Sequence, residues 1–228
     1  MVNAATYTVT NTNDSGAGSL RQAIIDANTN PGADIIQFNI PDGGLPEQYF
    51  EGGAILSGTR YAVIRLSTAL PTITGAVLID GYTQANSNTG AAAGRVVGVD
   101  NIVQPNIPYP DVYIVPTAGF VFPTLNTSIS GNGFTINTAD VTIRGVAISG
   151  FGVNNSDSQT ASANADISVL RSSTARTINT NIFDCFLSCD PRGNYPSLSE
   201  RRTKGNSILI CGFNYNGNIY SCLLYTSP

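Results

Sequence analysis

The chain has 228 residues and a formal net charge of -4, with 11 Lys and Arg against 15 Asp and Glu. It contains no His, which excludes a Ser-His-Asp triad, a Cys-His pair and a His-ligated metal site. The excess of acids disfavours nucleic acid as a partner, because a phosphate backbone needs clustered Lys and Arg. Charged residues are only 11% of the chain, so the polar surface must come mainly from Asn, Thr, Ser and Gln.

The N-terminal segment is predicted to form a capping unit over residues 1–33. Tyr7 to Thr10 alternates as a strand, and Asn11 to Gly18 is rich in turn-forming residues. Ser19 and Gln22 have the spacing of a capping box, which marks the start of a helix. Four apolar residues then follow at helical spacing and form one buried stripe: Leu20, Ala23, Ile24 and Ala27.

The segment from Gly133 to Gly152 contains three pairs of apolar residues, each pair separated by one residue. The pairs are Phe134 and Ile136, Val141 and Ile143, and Val146 and Ile148. Each pair predicts a short strand with one buried face, and the breaks between them are too short for crossover helices. Strand, bend and strand within about 20 residues are typical of one coil of a parallel β-solenoid.

The same pattern occurs earlier in the chain as a degenerate repeat. Residues 72–81 align with residues 135–145 when one residue is inserted, and this alignment places Asp80 opposite Arg144. We predict β-helix coils over residues 34–221, with long loops near 83–110, 153–164 and 190–205. The predicted strands after the cap helix lie at 34–41, 63–66, 70–73, 77–79, 111–115, 134–136, 141–143, 146–148, 166–170, 177–183, 206–210 and 217–220, with a further short strand at 96–99 inside the first long loop.

Two segments resemble a group of secreted bacterial right-handed parallel β-helix proteins. Ser19-Leu20-Arg21-Gln22-Ala23 is similar to the Ser-Leu-Arg-Glu-Ala part of the motif that names the group, with Gly18 where that motif has Cys. Residues 70–84 are similar to the same group. The resemblance implies an all-β, pectin-lyase-like fold: a right-handed parallel β-helix with an N-terminal capping strand and helix, secreted or at the cell surface.

The C-terminal residues 222–228 resemble a translated sequencing-library adapter, so we expect a non-native tail that makes few contacts. The cysteines at 185, 189, 211 and 222 fit no zinc spacing. We expect them to be buried as small apolar side chains, in preference to a disulfide. No apolar run is long enough to predict a membrane span.

The candidate site residues fall into two classes. Asp80 and Arg144 are weak catalytic candidates on the outward face of adjacent coils, and a surface salt bridge is the favoured interpretation of this pair. The acids are scattered singly, so we expect neither a calcium site nor any other metal or cofactor. Aromatic residues in or beside predicted loops are candidates for stacking on sugars, or else anchors for the loops: Tyr49, Phe50, Tyr82, Tyr109, Tyr113 and Tyr195.

These observations favour a non-catalytic, secreted or cell-surface β-helix that binds an extracellular polysaccharide or a surface protein, with Tyr82, Tyr109 and Tyr195 as the ligand-binding residues. The alternative is a carbohydrate-active enzyme, a polysaccharide lyase or glycoside hydrolase, whose site would lie partly in coils beyond this sequence.

Overall fold

The computed structural model describes residues 3–41, 61–84, 91–92, 96–97, 102–103, 106–121, 131–152, 164–170, 179–191, 193, 206–210, 218–220 and 223–224. The predictions for Tyr49, Phe50, Tyr195, Cys211 and Cys222, and for most of the three long loops, lie outside the described residues.

The cap consists of strand β1 (Thr6–Val9) and helix α1 (Leu20–Thr29). The predicted apolar stripe is confirmed, because Leu20, Ala23, Ile24 and Ala27 are all buried. The capping box is only half confirmed. The Ser19 hydroxyl accepts a hydrogen bond from the Gln22 amide at 3.2 Å, but the Gln22 side chain donates to Asp26 at 2.8 Å. It does not reach back to Ser19, because the Ser19 amide already donates to the Gly16 carbonyl.

Two polar residues on α1 bind the segment that follows β3 (Ala62–Leu66). The Arg21 guanidinium donates to the carbonyls of Thr68 and Ala69, at 2.8 and 2.5 Å. Asn28, two helical turns later, donates to the Thr72 carbonyl at 2.8 Å and accepts from the Thr74 amide at 2.8 Å. The helix therefore fixes the path of the chain between β3 and the next strand.

These contacts explain one wrong prediction, the strand over residues 70–73. Only Ile73 pairs there, through a single parallel bridge to Ile136. Pro71 has no amide hydrogen to donate. The Thr72 carbonyl is already bonded to Asn28, so the backbone follows the helix instead of a neighbouring strand.

The strands that follow β1 are β2 (Asp34–Phe38), β3 (Ala62–Leu66), β4 (Val77–Asp80), β5 (Ala91–Ala92), β6 (Val96–Val97), β7 (Ile102–Val103), β8 (Ile107–Pro108), β9 (Val112–Pro116), β10 (Phe134–Ile136), β11 (Val141–Arg144), β12 (Ala147–Ile148), β13 (Ala165–Val169), β14 (Thr180–Phe183), β15 (Phe186–Leu187), β16 (Asn206–Ile210), β17 (Asn218–Tyr220) and β18 (Leu223–Leu224).

Three parallel sheets contain most of these strands. The first has the order β1-β2-β4-β11-β14-β17, the second β18-β15-β12-β9-β3 and the third β10-β13-β16. Strands β5 to β8 form two short antiparallel pairs. From β10 onwards, successive strands belong to the third, the first and the second sheet in turn, and this order recurs through β18. The described part of the chain is β-rich, with parallel sheets and little helix.

The register of the strands stacks like residues in columns. Ile36, Ile79, Ile143 and Ile182 are in register on four neighbouring strands of the first sheet, and all four are fully buried. Ile64, Ile114, Ile148 and Leu187 form an equivalent buried column in the second sheet.

The predicted core is confirmed by the burial of Ile73, Val77, Ile79, Phe134, Ile136, Val141, Ile143, Val146 and Ile148. The predicted repeat is also confirmed. Ile73 is opposite Ile136 and Val77 is opposite Val141, which requires the single inserted residue.

The second sheet is buried on both faces. Its outer face carries Val63, Tyr113 and Phe186, which pack in a cluster separate from the main core. The sequence places Tyr113 beside a predicted loop, either to stack on a sugar or to anchor the loop. It is fully buried instead, because it lies on β9 and its hydroxyl shares a 2.7 Å hydrogen bond with Ser149. When a parallel sheet is covered on both faces, the side chains on both sides of each strand are buried. Alternation of apolar and polar residues does not predict this second buried face.

Cys185 and Cys189 are buried thiols, as expected. The expectation of few contacts for the C-terminal tail is wrong at Leu223 and Leu224, which pair with Phe186 and Leu187 in the second sheet. The rest of residues 222–228 lies outside the described residues, so the non-native origin of the tail stays a prediction. Among the helices that the structure describes, none is long and apolar enough to cross a membrane.

Adjacent residues of α1 give a matched test of the cap. Ile24 is 1% exposed and Ile25 is 40% exposed. We expect Ile24→Asp to lower the free energy of unfolding by roughly 3–5 kcal/mol, because it leaves an uncompensated charge in the core. Ile25→Asp places the same charge in solvent and should cost less than about 1 kcal/mol. Denaturant unfolding measures both. Equal losses in the two variants would show that the helix does not cap the core.

Candidate functional site

The candidate site lies where three neighbouring strands of the first sheet end. Asp80 ends β4, Arg144 ends β11 and Phe183 ends β14, and the three residues are in register across the sheet. The sequence alignment of Asp80 with Arg144 is therefore confirmed. Ile79 and Ile143, the preceding residues, point into the core, so alternation places this row on the outer face.

Asp80 and Arg144 form a bidentate ion pair. Arg144 donates from Nε to Oδ1 of Asp80 at 2.9 Å and from Nη2 to Oδ2 at 2.6 Å. The side chain of Arg144 is 36% exposed and that of Asp80 only 8%, so Asp80 lies on the outward face but is covered. The interpretation of the pair as a salt bridge is confirmed. The guanidinium also lies over the Phe183 ring, 5.8 Å from its centroid.

The ion pair determines what Arg144 can do chemically. The hydrogen bonding that Arg144 donates to Asp80 raises the pKa of Arg144 above its already high ordinary value. A guanidinium held protonated in this way cannot remove a proton from a substrate. Both oxygens of Asp80 are engaged with Arg144, so neither member of the pair is available as a general base.

Tyr82 spans the ends of all three strands. It lies in a 3-10 turn (Gly81–Thr83), where its amide donates to Asp80 at 3.2 Å. A Cβ atom added to Gly145 would come within 2.9 Å of Tyr82 Cγ, so the ring packs directly on that glycine. The Asp184 carboxylate lies near the Tyr82 side chain. Burial, and then Asp184, raise the pKa of Tyr82 above its ordinary value.

The backbone conformation after each strand explains why these residue types occur there. Gly145 and Asp184 follow residues that are in register, Arg144 and Phe183. Both adopt the left-handed conformation, with φ of 64° and 52°. Glycine adopts it without strain, and Asp tolerates it better than most other residues do. The chain therefore turns in the same way after β11 and after β14.

The turn that carries Tyr82 is fixed to β2 and the segment after it. The Thr83 hydroxyl accepts from the Phe38 amide at 2.7 Å. The Gln84 side chain accepts from the Ile40 amide and donates to the Ile40 carbonyl, both at 2.9 Å. The ring is consequently presented on a rigid support, while 38% of Tyr82 stays exposed.

We call Asp80, Tyr82, Arg144, Phe183 and Asp184 the Tyr82 patch. Sequence reasoning identified the first three and missed Phe183 and Asp184. The signal was the alignment of Thr-Ile-Arg-Gly at 142–145 with Asn-Ile-Phe-Asp at 181–184, in which only the isoleucine is shared.

The structure does not place Tyr109 in this patch. Its ring packs edge-on against Phe186, with centroids 5.9 Å apart, on the outer face of the second sheet. Tyr109 is half-buried, and this contact is that of a loop anchor. Tyr195 lies outside the described residues. Within the described ranges, no group of three or more His, Cys, Asp or Glu side chains could hold a metal ion.

No protein-family model, curated protein or solved structure matches this chain. The resemblance to pectin-lyase-like proteins therefore stays a prediction.

Gly145 and Gly119 give a matched test of the close packing under Tyr82. Gly145→Ala should destabilise the protein by about 1–3 kcal/mol, because alanine is strained at this φ and its Cβ would collide with the Tyr82 ring. The Cβ atom that Gly119→Ala adds would lie 3.9 Å from its nearest neighbour, an ordinary contact distance, so this variant should change stability little. Thermal unfolding compares the two. An unchanged melting temperature in Gly145→Ala would contradict the close packing of Tyr82 on Gly145.

The raised pKa of Tyr82 predicts a pH dependence of stability. The folded protein holds the phenol proton after the unfolded chain has lost it, at a pH of about 10. The stabilisation is therefore complete below that pH and is lost as the pH rises towards the folded pKa. We expect the free energy of unfolding to fall less steeply above about pH 10 in Tyr82→Phe than in the wild type. Denaturant unfolding at a series of pH values measures this free energy. An equally steep fall with pH in both proteins would argue that Tyr82 is not shielded from solvent.

Proposed function

We propose that the chain folds as a right-handed parallel β-helix and belongs to a secreted or cell-surface protein. The support for this fold is the recurring order of third, first and second sheet from β10 to β18, together with the in-register columns of buried residues. Stacked coils of this kind produce a stiff, elongated scaffold whose outer faces carry binding residues.

Within this proposal, the protein is a non-catalytic binding scaffold, and its ligand at the Tyr82 patch is an extracellular polysaccharide. The observation that carries the proposal is the Tyr82 ring. One face packs on Gly145, the Tyr82 amide is fixed by its hydrogen bond to Asp80, and more than a third of the residue is exposed. A fixed ring loses little conformational entropy when a sugar stacks on it.

The charges of the patch favour a neutral polysaccharide over an acidic one. Arg144 is compensated by Asp80, and Asp184 adds one further carboxylate. An acidic chain would meet this carboxylate without an unpaired cation to attract it. The catalytic alternative receives no support from the patch, because Arg144 stays protonated and Asp80 is bound to it.

Three variants test the proposal against a panel of neutral and acidic polysaccharides in affinity electrophoresis. Tyr82→Ala removes the ring and should weaken binding of neutral polysaccharide at least about tenfold, a loss of about 1.4 kcal/mol. Tyr82→Phe keeps the ring and should retain most of the binding. Tyr109→Phe alters a ring outside the patch and should bind as the wild type does.

Circular dichroism must show that all three variants are folded. Unchanged binding by a folded Tyr82→Ala would refute the polysaccharide site. The protein could instead bind no polysaccharide but capture a surface protein, and Tyr82→Ala could abolish that capture. This result would show that the patch recognises a protein. Depolymerisation of any polysaccharide in the panel would refute the non-catalytic assignment.

A further inference from the structure

A cavity lies in the cap, away from the Tyr82 patch. It is a cavity of about 190 Å³ between β1 and α1. Residues 6–8 of β1 form one wall, and Gly18, Gln22 and Asp26 lie on the opposite side. None of the residues that line it belongs to the Tyr82 patch.

The strand wall presents backbone groups to the cavity. The carbonyls of Ala5 and Val9 accept from the amides of Ile35 and Asn39, at 2.8 and 2.9 Å. In a parallel ladder, alternate residues direct their amide and carbonyl groups to the same neighbour. Thr6 and Thr8 therefore direct theirs away from β2, to the side where the cavity lies. Backbone groups of this kind are strong donors and acceptors for a ligand.

The open edge is too short to pair with an added strand. At one end, the Thr10 amide donates to the Gly18 carbonyl at 2.9 Å, which closes the space between β1 and the start of the helix. Only Thr6 and Thr8 face the cavity with their backbone. A peptide strand needs a longer ladder to bind by edge addition, so the geometry favours a compact ligand with several polar groups.

The helix wall supplies matching side chains. Gln22 donates to Oδ1 of Asp26 at 2.8 Å, which orients both planar groups. The second oxygen of Asp26 and the carbonyl oxygen of Gln22 are acceptors suited to neighbouring hydroxyls. The lining includes this one carboxylate and no Lys or Arg, so an anionic ligand would be repelled.

Tyr7 also lines the cavity. It is half-buried and packs against the main core. Sites for drug-sized ligands enclose about 300–1,000 Å³, so a cavity of about 190 Å³ takes one small ring. We propose that the cap cavity binds a single uncharged sugar ring, whose hydroxyls bond Asp26, Gln22 and the edge of β1, and whose apolar face packs against Tyr7.

Saturation-transfer NMR on the full chain tests this site with four probes: glucose, galactose, glucuronate and the tripeptide Val-Thr-Val. We expect a neutral sugar to bind with a Kd of about 1 mM, with transfer strongest to the ring protons that face Tyr7. Glucuronate and the tripeptide should bind at least about tenfold more weakly.

Asp26→Asn and Gln22→Ala should each weaken binding of the neutral sugar at least about tenfold. Ile25→Ala, on an exposed helix position outside the cavity, is the matched control and should bind as the wild type does. Tyr82→Ala should also leave this binding unchanged, which separates the cap site from the polysaccharide site proposed above.

Three results would overturn the inference. They are no saturable binding of either neutral sugar, glucuronate binding as tightly as glucose and galactose, or unchanged sugar binding by folded Asp26→Asn and Gln22→Ala. Preferential binding of the tripeptide would also overturn it and would identify the edge of β1 as a peptide site instead.

Discussion

The constraint on which the structure depends is the in-register stacking of β-branched residues in the parallel sheets. Ile36, Ile79, Ile143 and Ile182 occupy one fully buried column. Because side chains alternate between the two faces of a strand, a slip of one residue in any of these strands would turn its isoleucine away from the core. The cost of exposing that isoleucine, about 1.5–3 kcal/mol, fixes the register of each strand. The register in turn fixes the outer row in which Asp80, Arg144 and Phe183 are neighbours.

The cap helix stabilises this stack from two sides. Its apolar stripe, which includes Ile24, covers the end of the core. Its polar residues Arg21 and Asn28 bind the backbone that leads into β4. Asp34, at the start of β2, accepts from the Ala5 amide and from the Asn30 side chain, both near the ends of cap elements. The cap is thus joined to β2 and to the segment before β4 by side-chain hydrogen bonds as well as by apolar packing.

The sequence predicted the features that follow from period and repetition. These features are the buried residues of β11, the alignment of Asp80 with Arg144 and the inserted residue between Ile136 and Val141. Prediction from the sequence failed where a longer-range contact overrides the local pattern. Pro71 and its neighbours follow the helix because Arg21 and Asn28 bind them, and these bonds span more than 40 residues of sequence. Asp184 was missed because nothing local shows that its carboxylate meets Tyr82.

The same geometry separates the charged residues of the patch from the surface that we propose as the ligand-binding one. Asp80 is covered by Arg144, and both of its carboxylate oxygens accept hydrogen bonds from the guanidinium. The Asp184 carboxylate lies near the Tyr82 side chain, and the inner ring face lies on Gly145. What remains accessible is the outer face of the ring, beside a compensated ion pair. Such a surface is suited to stacking and not to proton transfer, and this is the basis for our proposal that the patch recognises a neutral chain and does not cleave it.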